Sequence, residues 1–212
     1  MHILVFDTET TGLPPNGRRQ QVDPAKWPFI VQLGFVFVDT DSSEAGLEEV
    51  HDIIVKVEGD IPTAHIHGIT KEINSAQGVP FPEAFAKMSG LIDRADLIVG
   101  HNIEFDVGML EAECLRHGIP FTPPAKQFCT MRRTTDYCGL VSAKGFPKPP
   151  KLVELHNILF GEPPSVSHKA LSDVFTCLRC FYKFVLKREP PLSFWEEEKK
   201  GKENAPTFFS DA

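Results

Sequence analysis

Asp7 and Glu9 stand two residues apart, just past the apolar run Ile3 to Phe6. A strand repeats every two residues, so both carboxylates project from one face, with Thr8 on the other, and can grip one cation at the strand's exposed end. A third acid, Asp106, follows the short apolar run Leu97 to Val99 near the start of a helical pattern, where open α/β sheets present functional side chains. A fourth, Asp173, lies five residues after His168. On an ideal helix that separation rotates two side chains apart by about 140°. His168 is therefore expected on the loop entering the helix, and Asp173 on the helix's inner face.

Four carboxylates gathered at one place repel one another and take up protons unless cations intervene. Their oxygens are hard ligands suited to Mg²⁺ or Mn²⁺, and a pair of such ions stabilises the attacking and leaving oxygens of an in-line phosphoryl displacement. Histidine titrates near neutrality, so His168 suits acceptance of a proton from an attacking water.

These residues need a rigid sheet behind them. Ile3 to Phe6 has the continuous apolar character of a strand buried on both faces. Phe29 to Asp39 and Val50 to Val57 read as two further strands, joined at Asp41 to Gly46 by a turn suited to a hairpin. The pattern then alternates: a helix from Pro82 through Ala86, a strand from Ala95 to Gly100, and a helix from Glu104 to His117 ending at Gly118. Gln127 to Met131 reads as a fifth strand, Leu152 to Phe160 as a helix closed by Gly161, and Leu171 to Lys187 as a long amphipathic helix. Pro14 to Pro28 carries four prolines and reads as a surface loop.

With 212 residues the chain can bury one substantial core, and no apolar run approaches the length that spans a bilayer. Its start lacks the pattern of a secretory signal, and its five cysteines are an odd number, so free thiols in a reducing compartment, cytoplasmic or nuclear, are expected. Cys177 and Cys180 form a CxxC with helical, core-facing spacing and no second pair. A net charge of −7 opposes binding of nucleic acid, unless cations neutralise the acidic site. Positive charge is nevertheless concentrated at Lys126, Arg132, Arg133, Lys144, Lys148 and Lys151, with Asp136 alone opposing.

The segments Phe6-Asp7-Thr8-Glu9-Thr10-Thr11-Gly12-Leu13, Val99-Gly100-His101-Asn102-Ile103-Glu104-Phe105-Asp106 and His168-Lys169-Ala170-Leu171-Ser172-Asp173 resemble, in order, the three exonuclease motifs of the DnaQ-like DEDDh family. His67-Gly68-Ile69-Thr70 is similar to a segment between the first two motifs in proofreading epsilon subunits of bacterial DNA polymerase III. The resemblance covers roughly Ile3 to Lys187 and implies a ribonuclease-H-like fold, a five-stranded mixed sheet flanked by helices. It implies two Mg²⁺ or Mn²⁺ ions on Asp7, Glu9, Asp106 and Asp173, with His168 as general base. It also implies substrate contacts by the backbone of Thr10, Thr11 and Gly12 and by Leu13, His67, Asn102 and Phe105. The Pro14-to-Pro28 loop has no counterpart in the family pattern, and Cys177 stands where threonine is frequent.

The expected activity is 3′-to-5′ hydrolysis at single-stranded or frayed DNA ends, releasing nucleoside 5′-monophosphates. Trimming of RNA, or docking on a polymerase with little activity, is the alternative; the motifs read a strand end and its phosphates, and the 2′-OH is discriminated by local contacts. Expected partners are single-stranded nucleic-acid 3′ ends and either a DNA polymerase or a sliding clamp, and no membrane. Residues 1–187 are read as the exonuclease domain and 188–212 as a flexible, charged tail. Within that tail Ala205 to Phe209 dimly resembles clamp-docking peptides, with Lys202 where such peptides usually carry glutamine.

Overall fold

The structure is a computed structural model and describes residues 1–15, 22–41, 46–164, 169–191 and 194. Strands β1 (His2–Thr10), β2 (Ile30–Asp39), β3 (Leu47–Ile54), β4 (Leu97–Gly100) and β5 (Gln127–Cys129) form one sheet in the order β3-β2-β1-β4-β5. The first three strands pair antiparallel, as hairpin-connected strands do, whereas β4 and β5 run parallel to β1 after helical crossovers. The expected five-stranded mixed sheet, flanked by helices, is therefore present.

Alternation along β1 divides the core in two. Leu4 and Phe6 pack with β2 residues Leu33, Phe35 and Phe37 beneath α3 (Phe81–Arg94) and α4 (Ile103–His117). Ile3 and Val5 pack with Val36 and Val38 under α8 (Ala170–Phe181), through Val174, Phe175, Leu178 and Phe181. Cys177 lies buried in this second layer, Cys180 is buried on the same helix, and all five cysteines are free thiols. Gly118 and Gly161 end their helices in the left-handed conformation that lets a chain turn away without a Cβ clash.

Several boundaries differ from the sequence expectation. β3 starts at Leu47 and ends at Ile54, earlier than expected at both ends, because a half-exposed edge strand is set by its ladder to β2 and tolerates Glu48 and Glu49. The third helix runs on from Ala86 to Arg94, and β5 stops at Cys129, where Thr130 begins a helical turn, α5 (Thr130–Arg133), followed by α6 (Thr135–Cys138). Two short helices, α1 (Ala64–His67) and α2 (Lys71–Gln77), add to the expected elements; the Thr70 hydroxyl accepts from Ile73 N–H and caps the second. α7 (Leu152–Phe160) matches its expected bounds. The last helix is α-helical to Phe181 and widens to a π turn over Tyr182–Leu186.

The Pro14-to-Pro28 loop is anchored where it returns to β2. Trp27 lies so close over Gly108 of α4 that a Cβ there would stand 2.6 Å from its ring. Arg116 donates to the carbonyls of Pro24 and Trp27 and pairs with buried Glu113, which accepts the N–H of Ile30. Among the described residues no helix is long and apolar enough to cross a membrane. The tail segment Ala205 to Phe209, with Lys202, lies outside the described residues.

Candidate active site

Asp7 and Glu9 leave β1 on the α8 face, and Asp173 faces them from the first turn of α8. One carboxylate oxygen from each lies within 4.8 Å of the others. The backbone reason for this approach sits on the neighbouring strand. Gly34 of β2 pairs with Asp7, and a Cβ at Gly34 would stand 2.6 Å from the backbone of Ala170 and Leu171. The absence of a side chain there lets the start of α8 rest on the sheet beside the two acids.

Gln32, which pairs with Glu9, completes the seat. Its side-chain oxygen accepts the N–H of Ala170 at 3.2 Å, and its amide donates to Asp52 of β3 at 2.7 Å. A helix leaves its first N–H groups without partners inside the helix, so Gln32 satisfies one and fixes the first turn. Sequence reasoning misses both Gln32 and Asp52, although a glutamine within the buried run Ile30 to Val38 is a signal. A polar side chain in such a place needs partners.

Asp106 arrives from the opposite layer. The ladder between β1 and β4 stops at Val5 and Val99, so the N–H of Thr8 lies beyond it. Buried Asp106 supplies the acceptor: its Oδ1 takes the N–H of Thr8 at 3.0 Å and the Thr8 hydroxyl at 2.7 Å. Its negative charge reaches both acids on β1.

Burial pushes the Asp7 carboxyl well above the usual carboxylate range, reinforced by Asp106, Asp173 and Glu9. Burial, then Asp173 and Asp106, push Glu9 up to about 8. The fold thus holds negative charge together at a cost that a bound cation relieves. A set of hard carboxylate oxygens at this spacing fits a divalent ion.

His168 lies outside the described residues. Thr10, Thr11 and Gly12 form a pinned turn: the Thr10 hydroxyl donates to Gly12 O, Thr11 N–H to Phe29 O, and Phe29 N–H to the Thr11 hydroxyl. Leu13, next in the chain, is 83% exposed. His67 is turned inward; its Nδ1 accepts the N–H of Ile69, and its Nε2 donates to the Thr63 hydroxyl, which donates to Thr10 O. It therefore braces the turn from behind. Asn102 adopts a left-handed backbone, φ 75°, and its buried Oδ1 has no hydrogen-bond partner among the described residues. Phe105 is half-buried against the α3/α4 layer.

The exonuclease family model RNase_T matches residues 4–181, a span that holds all four acids. The chain belongs to the RNase_T exonuclease family. This membership agrees with the DnaQ-like DEDDh resemblance and places the chain in a family of exonucleases that generally use divalent metal ions. No curated protein matches the chain. Among solved structures it is similar to Escherichia coli exonuclease I in complex with a dT13 oligonucleotide, with TM-score 0.64 and 19% identity over 86% of this chain. The match covers 41% of exonuclease I, so the chain spans well under half of that relative. The nuclease domain of 3′hExo, a DEDDh family member bound to rAMP, gives TM-score 0.64 and 15% identity over 88% of this chain and 92% of that one. A 3′-exonuclease recognising a histone mRNA stem-loop gives TM-score 0.65 and 14% identity over 88% of this chain and 64% of that one. At these identities the likeness is one of fold, and the fold is ribonuclease-H-like.

Proposed function

We propose that this RNase_T exonuclease hydrolyses single-stranded or frayed DNA from the 3′ end and releases nucleoside 5′-monophosphates. The observation that carries the reading is the carboxylate cluster of Asp7, Glu9 and Asp173, built onto a buried strand and a seated helix. Asp7, Glu9, Asp106 and Asp173 would hold two divalent ions, Mg²⁺ or Mn²⁺, which when bound supply charge stabilisation to the attacking and leaving oxygens of the phosphoryl group. His168 is assigned as general base: it takes a proton from water as the water oxygen attacks phosphorus, and the bond from phosphorus to the 3′ oxygen of the preceding nucleotide breaks. The turn Thr10 to Gly12, with Leu13, His67, Asn102 and Phe105, is assigned to the terminal nucleotides, and His67 also braces that turn. Residues 1–187 carry the activity in this reading, with 188–212 as a tail.

DNA is preferred because exonuclease I was captured on oligodeoxynucleotides, while the 3′hExo and histone mRNA complexes keep RNA as the second reading. Incubation of 5′-labelled DNA and the matching RNA with the protein in Mg²⁺ or Mn²⁺ separates them. The expected result is a DNA ladder shrinking from the 3′ end, abolished by chelator and by Asp7→Asn. RNA shortened in preference to DNA would replace the substrate, and shortening of neither would leave docking on a polymerase as the better reading.

A further inference from the structure

The segment from Thr130 to Lys151 leaves the active-site end of the sheet and returns to the place it left. His101, five residues before Asp106, closes it at both ends. Its Nε2 lies 3.1 Å from the carbonyl oxygen of Pro150, which can only accept, and its Nδ1 lies 2.9 Å from the Thr130 hydroxyl, which is also 3.2 Å from Gly100 O. Burial lowers the ring's pKa to about 4, so the clasp is a neutral imidazole under physiological conditions.

Between these ends the chain forms a small ordered hairpin. Val141 bridges Pro147, Ser142 N–H donates to Phe146 O, Lys148 N–H donates to Leu140 O, and Gly145 turns at φ 79°. Its apolar side chains point outward: Phe146 is 68% exposed. Along the same excursion Arg133, Lys144 and Lys151 are exposed. Arg132 reaches Glu104, the residue before Phe105, which ties the start of the excursion to the mouth of the site. Lys126 precedes β5 and so belongs to the opposite end of that strand.

An aromatic ring held out beside cations, in a chain whose net charge is −7, suits a strand of alternating bases and phosphates. We propose that this excursion is the track for the strand leading to the 3′ end. Phosphates 5′ of the terminal nucleotides lie along Arg133, Lys144 and Lys151, and a base stacks on Phe146. The proposal rests on the exonuclease reading above and extends it away from the reacting bond.

The test compares the native protein with Arg133→Ala/Lys144→Ala/Lys151→Ala and with Phe146→Ala on two substrates. One is a single strand long enough to cover the excursion; the other is the p-nitrophenyl ester of thymidine 5′-monophosphate, which reaches only the site. In the triple variant KM for the strand should rise by about tenfold or more. The dependence of log affinity on log salt should become shallower by about two, because each phosphate neutralised on a single strand adds about 0.7 to the slope. Phe146→Ala should raise KM several-fold and leave the salt slope unchanged. Ester hydrolysis should be the same in all three proteins. Fluorescence anisotropy of a labelled strand in chelator reads the same slope without turnover. Unchanged KM and salt slope in the triple variant, with ester hydrolysis intact, would overturn the track. Native protein that cleaves neither substrate would instead overturn the site reading.

Discussion

The two faces of β1 deliver their acids by different physical means. On the α8 face Asp173 is placed by backbone approach: Gly34 lets the helix rest on β2, and Gln32 holds its first N–H. On the α4 face Asp106 is placed by its own side chain, as the hydrogen-bond partner of Thr8 beyond the end of the β4 ladder. The first device is set by packing and works at a distance from the carboxylates. The second spends one oxygen of the functional group itself on the strand. The α8 face should therefore be the more sensitive to residues that never touch the substrate.

Substitution at Gln32 and at Thr8 breaks that comparison most sharply. Gln32→Met should lower turnover by about 10–100-fold, as loss of a residue supporting a ligand commonly does. It removes the acceptor of the Ala170 N–H and leaves Asp52 without its amide donor. Thr8→Val should cost less, about tenfold or under, because the backbone N–H still holds Asp106 Oδ1 after the hydroxyl is gone. Kinetics at saturating Mg²⁺ on a labelled strand, beside urea unfolding of each variant, would check the order. A larger loss for Thr8→Val would reverse the comparison.

Much of this can be read from the chain. Asp7 and Glu9 alternate with Thr8 in a buried run, so their shared face follows from strand period alone, and helical spacing puts the cysteines of the last helix in its core by the same reasoning. The seat for α8 is not legible, because Gln32 and Gly34 carry meaning only once β2 is known to lie beside β1 in register with the acids. The limits of β3 escape for a related reason: an edge strand's length is set by its partner rather than by its own apolar content. The family pattern makes His67 a nucleotide contact, whereas its brace on Thr10 depends on Thr63, which no local pattern marks.

A smaller effect separates the acid cluster from the rest of the fold. Asp7 and Glu9 are held above their ordinary range, so the folded protein keeps protons that the unfolded chain releases, and raising the pH favours unfolding. In chelator, stability should fall as pH rises from about 4.5 to about 8, the window set by Glu9. Glu9→Gln should flatten the slope, and Mn²⁺ should reverse it in the native protein. Urea unfolding across that range reads this directly, and a stability that rises with pH in chelator would contradict the repulsion.

The most direct test of the cluster as a cation site is isothermal titration calorimetry of Mn²⁺ into the native protein, Asp7→Asn and Asp173→Asn. Saturable binding to the native protein, lost or strongly weakened in both variants while each stays folded, is the expected result. Binding of equal strength in all three would place the cation elsewhere and remove the basis of the proposed mechanism.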